Sequence, residues 1–167
     1  MKQSITILSA ILFLLSCNRS DHGIYNENFD VIERYTQAVQ NKNVDSMSAL
    51  LSDDYVGYGP SFTDSINKVD AIANWRNLAA NLYDSIQYRN SVNIAAEVPD
   101  GPHPGDYVSN WSSVRITYKN GRGAVNLLVN VIYRVENGKI TLTRTFYDEA
   151  DAMRQLGYRF VPPGQQE

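Results

Sequence analysis

Residues 124–148 read AVNLLVNVIYRVENGKITLTRTFYD, and this stretch decides the fold. Val125, Leu127, Val129, Val131, Tyr133 and Val135 alternate with Ala124, Asn126, Leu128, Asn130, Ile132 and Arg134, which gives a strand one apolar face and one mixed face. Glu136, Asn137, Gly138 and Lys139 form the turn, and Asn-Gly between two such runs predicts a tight hairpin, whose central residues need positive φ. The return strand, 140–147, puts Ile140, Leu142, Arg144 and Phe146 on one face and Thr141, Thr143, Thr145 and Tyr147 on the other. A hairpin this long needs a covering layer.

Upstream of it the same alternation predicts strands over 86–98 and 107–118, joined by 99–106, a segment with three prolines and two glycines that excludes both helix and ladder. The covering layer comes from earlier still. Phe29, Ile32, Tyr35, Thr36 and Val39 recur at helical spacing, and a second short helix starts near Asp45 with Met47, Leu50 and Leu51 inward. A strand over 55–60 and a loop over 62–67 precede a third helix over 68–83, whose apolar residues, Trp75 among them, wrap more than half its circumference. Residues 148–156 read as a short terminal helix stopped by Gly157. Helices first and strands afterwards give an α+β domain with its helices on one face of an antiparallel meander.

The 167 residues, 43% hydrophobic and 20% charged, suit a single domain. Its start stands apart: Lys2, an apolar run over 5–15, then Ser16 and Cys17. That run is shorter than the roughly 20 residues of a spanning helix, so export is expected rather than a transmembrane anchor. Leu14-Leu-Ser-Cys17 resembles the bacterial lipobox, which implies cleavage before Cys17 and its acylation. Cys17 is the only cysteine, so an intramolecular disulfide is excluded. Asn18 resembles the sorting residue of lipoproteins sent to the outer membrane, so the expected location is the bacterial cell envelope, lipid-anchored. The domain plan is therefore a signal peptide over 1–16, acylated Cys17 and a flexible tether over 17–28, the folded domain over 29–160 and a tail over 161–167. Cleavage removes Lys2 and no acid, which moves the formal charge from −3 to −4. That balance argues against a nucleic-acid partner.

Several segments in this order resemble the NTF2-like superfamily and its SnoaL-like group: 41–55 (NKNVDSMSALLSDDY), Gly59-Pro60, 137–140 (NGKI), and Tyr147-Asp148 followed by 153–157 (MRQLG). The resemblance implies a cone of three N-terminal helices packed on a strongly curved antiparallel sheet, a short C-terminal helix, and a pocket. The family it implies includes polyketide cyclases, ketosteroid-type isomerases and dehydratases, so the fold alone does not name an activity.

Candidate residues follow. The cyclases use an aspartate near the end of the last strand as acid/base, which implies Asp148 as catalytic; Asp148 is equally placed to cap the terminal helix. The cyclases' histidine has no counterpart over 124–136, and the isomerases' base would fall near Tyr58 or Gly59, where no carboxylate stands. Tyr55, Tyr58, Trp75, Trp111, Tyr133, Phe146 and Tyr147 are expected to converge as aromatic pocket wall, with Asn130 and Arg134 as polar ligand-binding groups. His22 and His103, far apart, make no metal set, and no cofactor is expected. Three functions are open: binding of a small, largely apolar molecule; proton transfer or ring closure beside a carbonyl, with Tyr58, Asn130 or Arg134 steadying an enolate; and a non-catalytic module that forms a homodimer through a sheet face carrying Thr141, Thr143 and Thr145.

Overall fold

A computed structural model describes residues 21–161 and 164. The segment expected to be a signal peptide, Cys17 and most of the expected tail lie outside the described residues.

The first helix, α1 (Asp21–Gln40), begins within the segment expected to be a tether. Its polar start does not prevent helix: Asn28 is itself buried, and Val31, Ile32, Tyr35, Ala38 and Val39 continue the inward stripe. Lys42, at φ +53°, ends the run. The second helix, α2 (Val44–Leu50), is capped by Asn43, whose side chain accepts from Ser46 N at 3.0 Å. Strand β1 (Leu51–Tyr58) follows without a loop, earlier than the alternation suggested. Short β2 (Ser65–Asn67) and α3 (Lys68–Asn77), capped by Asn67, come next. The long third helix expected from the sequence is this α3 closed by a π-helical turn over Leu78–Leu82.

The meander is as the alternation reads: β3 (Tyr83–Val98), β4 (Gly105–Tyr118), β5 (Ala124–Glu136) and β6 (Lys139–Phe146), then α4 (Glu149–Gln155). Asn137 and Gly138 at φ +51° and +70° make the turn that the hairpin demands. The six strands run in the order β2-β1-β6-β5-β4-β3, with β1 parallel to β6.

The helices pack on one face of this sheet, and one core holds both layers together. Ile32, Met47, Leu51, Val108, Tyr133 and Ile140 are among its most buried members. Two irregularities decide which side chains face it. In β3 the ladder slips between Arg89 and Val92, with Asn90 at φ +52°; Tyr88 pairs with Val114 on the inner face, and Val92 pairs with Trp111 on the outer. Between β5 and β6 the register shifts at Thr141, so Ile140 pairs with inward Val135, and Thr143 and Thr145 pair with inward Tyr133 and Val131. The threonine face expected to be free is therefore the inner face, and Thr143 is buried.

Candidate functional site

Strands β3, β4 and β5 each contribute inward residues to a cavity of about 310 Å³. Ile86 and Tyr88 come from β3, Val114, Ile116 and Tyr118 from β4, and Leu127 and Val129 from β5. Val39 of α1 and Trp75 of α3 form the helical side. The remaining wall is Tyr83, Thr145, Tyr147 and, on α4, Glu149, Ala152 and Met153, with Leu156 just past its end.

Aromatic side chains step around this space edge to face. The Trp75 and Tyr83 rings lie 6.4 Å apart at 61°, and those of Tyr83 and Tyr118 lie 5.6 Å apart at 66°. Burial raises the pKa of the tyrosine hydroxyls. It pushes Tyr83 up to about 12, with Tyr118 and Tyr147 adding to the effect, and pushes Tyr88 up to about 12 on its own. Tyr147 is raised by burial, then by the neighbouring charges of Glu149, Tyr118 and Asp64.

The wall is held in place by polar contacts behind it. Gln40 Oε1 accepts from Tyr88 N at 2.9 Å, which ties the end of α1 to β3. Gln155 of α4 reads the backbone of Asn126 as a strand would, accepting from its N at 2.8 Å and donating to its O at 2.9 Å. Asp148 caps α4: its Oδ1 accepts from Asp151 N at 2.9 Å, and Arg154 Nη2 donates to its Oδ2 at 3.4 Å. The carboxylate is thus turned to the helix backbone and an arginine, and it lines the outer groove, not the cavity.

The aromatic residues expected to converge are divided among four places. Trp75 and Tyr147 line the cavity. Tyr133 is in the core, its ring 6.2 Å from Tyr35, and Tyr55 is in the core with its hydroxyl 2.7 Å from Thr143 Oγ1. Tyr58 sits beside Arg144, whose guanidinium lies 4.9 Å over its ring. Trp111 and Phe146 are on the outer face, 51% and 46% exposed. Asn130 shares that face and donates to Ser109 Oγ at 2.8 Å, while Arg134 pairs with Glu136 at 2.5 Å. Alternation within each strand, reset by the two slips, produces this division.

The outer face has a hollow of its own, an open groove of about 680 Å³. Val92, Trp111, Asn130 and Phe146 are successive cross-strand partners and form one row over four strands, with Leu128, 81% exposed, beside it. Cavity residues that the sequence reading missed are Tyr83, Tyr88, Tyr118 and Glu149. A signal for two of them was present: Tyr118 continues the inward series Val114, Ile116, and Tyr88 follows Ile86. Among the described residues no three His, Cys, Asp or Glu side chains gather as a metal set, and no helix is long and apolar enough to cross a membrane.

A mixed sheet carrying helices on one face, with a cavity between the layers, puts the chain in the α+β class, and its fold is NTF2-like. Similar solved structures include an LEH-like epoxide hydrolase from M. tuberculosis, 21% identical with a TM-score of 0.59 over 78% of this chain and 90% of that one. An NTF2-like protein of unknown function from Burkholderia pseudomallei is 17% identical with a TM-score of 0.59, over 79% and 98%. A hypothetical protein with a ketosteroid isomerase-like fold from Catenulispora acidiphila, in complex with trimethylamine, is 12% identical with a TM-score of 0.61, over 79% and 97%. At these identities the likeness is one of fold. Among curated proteins the chain finds no sequence match. Residues 32–143 match the SnoaL-like domain family, and the chain belongs to that family.

Proposed function

We propose that this SnoaL-like domain is exported, held to the bacterial envelope through acylated Cys17, and binds a small, largely apolar molecule in the cavity between its layers. The observation that carries the binding reading is the cavity itself. Its 310 Å³ are walled mainly by Trp75, tyrosines and aliphatic residues, with few polar groups placed among them, which is the usual make-up of a small-molecule site. Native mass spectrometry of the purified chain tests it: a co-purifying small molecule that is lost when Val129→Trp fills the cavity supports the reading. Retention of the same molecule by that variant overturns it. Anchoring rests on the lipobox-like Leu14-Leu-Ser-Cys17 and is tested by labelling with a fatty-acid analogue, where Cys17→Ser is expected to abolish incorporation.

Proton transfer beside a carbonyl has less support in the geometry. Among the described residues the one carboxylate lining the cavity is Glu149, and Asp148 is engaged as a cap. A specific observation favours a homodimer through the outer face. The row of Val92, Trp111 and Phe146 with Leu128 leaves large apolar side chains together in water. Sedimentation of the wild type against Leu128→Glu decides it: a dimer that the variant splits supports the interface, and a wild-type monomer overturns it.

A further inference from the structure

The cavity's electrostatics narrow the class of molecule further, an argument that rests on the cavity being a binding site. Charge of only one sign is offered there. Trp75, Tyr83, Tyr118 and Tyr147 all line the cavity, the planes of the first three differ in direction because they meet edge to face, and an aromatic face carries the negative side of the ring's quadrupole. Among the described residues Glu149, in the first turn of α4 and two positions after Tyr147, is the one with a formal charge in the lining, and its exposed side chain stands at the cavity's edge.

Among the described residues no Lys, Arg or His lines the cavity. Two lysines close to this region are taken up by backbone oxygens behind the wall: Lys42 donates to those of Tyr83 and Asp84, and Lys119 to those of Ala79 and Ala80. An anion would meet π faces and a carboxylate with no counter-charge. A neutral guest would gain apolar contacts and hydrogen bonds to Thr145 or the tyrosine hydroxyls, but nothing from the carboxylate's charge.

We propose that the cavity takes a small hydrophobic monocation, an alkyl- or arylalkylammonium, with its head among Trp75, Tyr83, Tyr118 and Tyr147 beside Glu149. Its hydrocarbon part lies against Val114, Ile116 and Leu127. Aromatic boxes recognise such heads because a weakly hydrated ammonium loses little by leaving water and meets ring faces on several sides.

The test uses two probes of equal heavy-atom count, benzyltrimethylammonium and neutral 2-methyl-1-phenylpropan-2-ol. The chain has two tryptophans, so Trp111→Phe leaves Trp75 as the single reporter of the cavity by fluorescence, with ligand-observed NMR as a second readout. The cation is expected to bind about tenfold or more tighter than the alcohol, and Glu149→Gln to cut that preference several-fold. Equal affinities overturn the cation inference and leave the cavity reading standing. A preference that Glu149→Gln leaves intact also overturns it, since the charge then lies elsewhere. Binding of neither probe by either readout overturns the inference together with the binding reading beneath it.

Discussion

The two faces of the same sheet are built from neighbouring residues and do different work. In β4, Asn110 is 2% exposed and Trp111, the next residue, is 51% exposed; in β5, Leu127 faces the cavity and Leu128 faces water. On the inner side the polar residues are paired with one another: Asn110 Nδ2 donates to Asn93 Oδ1 at 2.7 Å, and Ser112 Oγ donates to Asn110 Oδ1 at 2.6 Å. The outer side instead leaves apolar side chains together in solvent. Residue type therefore says little about role in this sheet until the face is known.

Four measurements press on that contrast. The largest effect is expected from Tyr133→Ala, which opens a hole among fully buried neighbours and should cost about 3 to 5 kcal/mol in urea unfolding; a loss below that of an exposed site would mean that the inner face is not the core.

Alkaline pH probes the inner face as a whole. Tyr83 and Tyr88 are raised to about 12 in the folded chain against about 10 unfolded, so the folded state holds more protons between those values. Their contribution is full below pH 10 and lost as pH rises through 12, at about 2 to 3 kcal/mol for each hydroxyl. Thermal melts across that window should fall steeply in the wild type, and less so in Tyr88→Phe.

Asp148→Ala removes the cap of α4 and should cost about 1 kcal/mol in thermal denaturation, with binding in the cavity unchanged. A measurable turnover lost at unchanged stability would move Asp148 from cap to catalysis. Smallest of all, Leu128→Ser on the outer face should alter unfolding of the monomer by less than about 0.5 kcal/mol, while shifting any dimer equilibrium.

Much of the scaffold could be read from local patterns. The Asn137-Gly138 hairpin, the four-strand meander and the order of helices all follow from alternation, helical spacing and turn chemistry, which act over a few residues. Pairing of β1 with β6 could not be read this way, since Tyr58 and Arg144 are far apart in sequence and meet only once the sheet exists. The site was harder for a different reason. A slip at Asn90 and another at Thr141 each invert the face of the residues around them, and nothing in the local composition marks either one. Counting aromatics without that parity joined Trp111 and Phe146 to Trp75, although a layer of backbone separates them. The polar start of α1 was likewise read as spacer, because its first turns carry no apolar stripe.

The early start of α1 has a geometric result. Its first described residue, Asp21, is four positions after Cys17, while Val39 and Gln40 at its other end meet the cavity wall. Twenty helical residues span about 30 Å, the thickness of a bilayer's hydrocarbon. From Asn28 onward that length is sunk in the core, so α1 runs alongside the sheet as a strut, and whatever displaces its first turns is felt at the cavity wall its last turn braces.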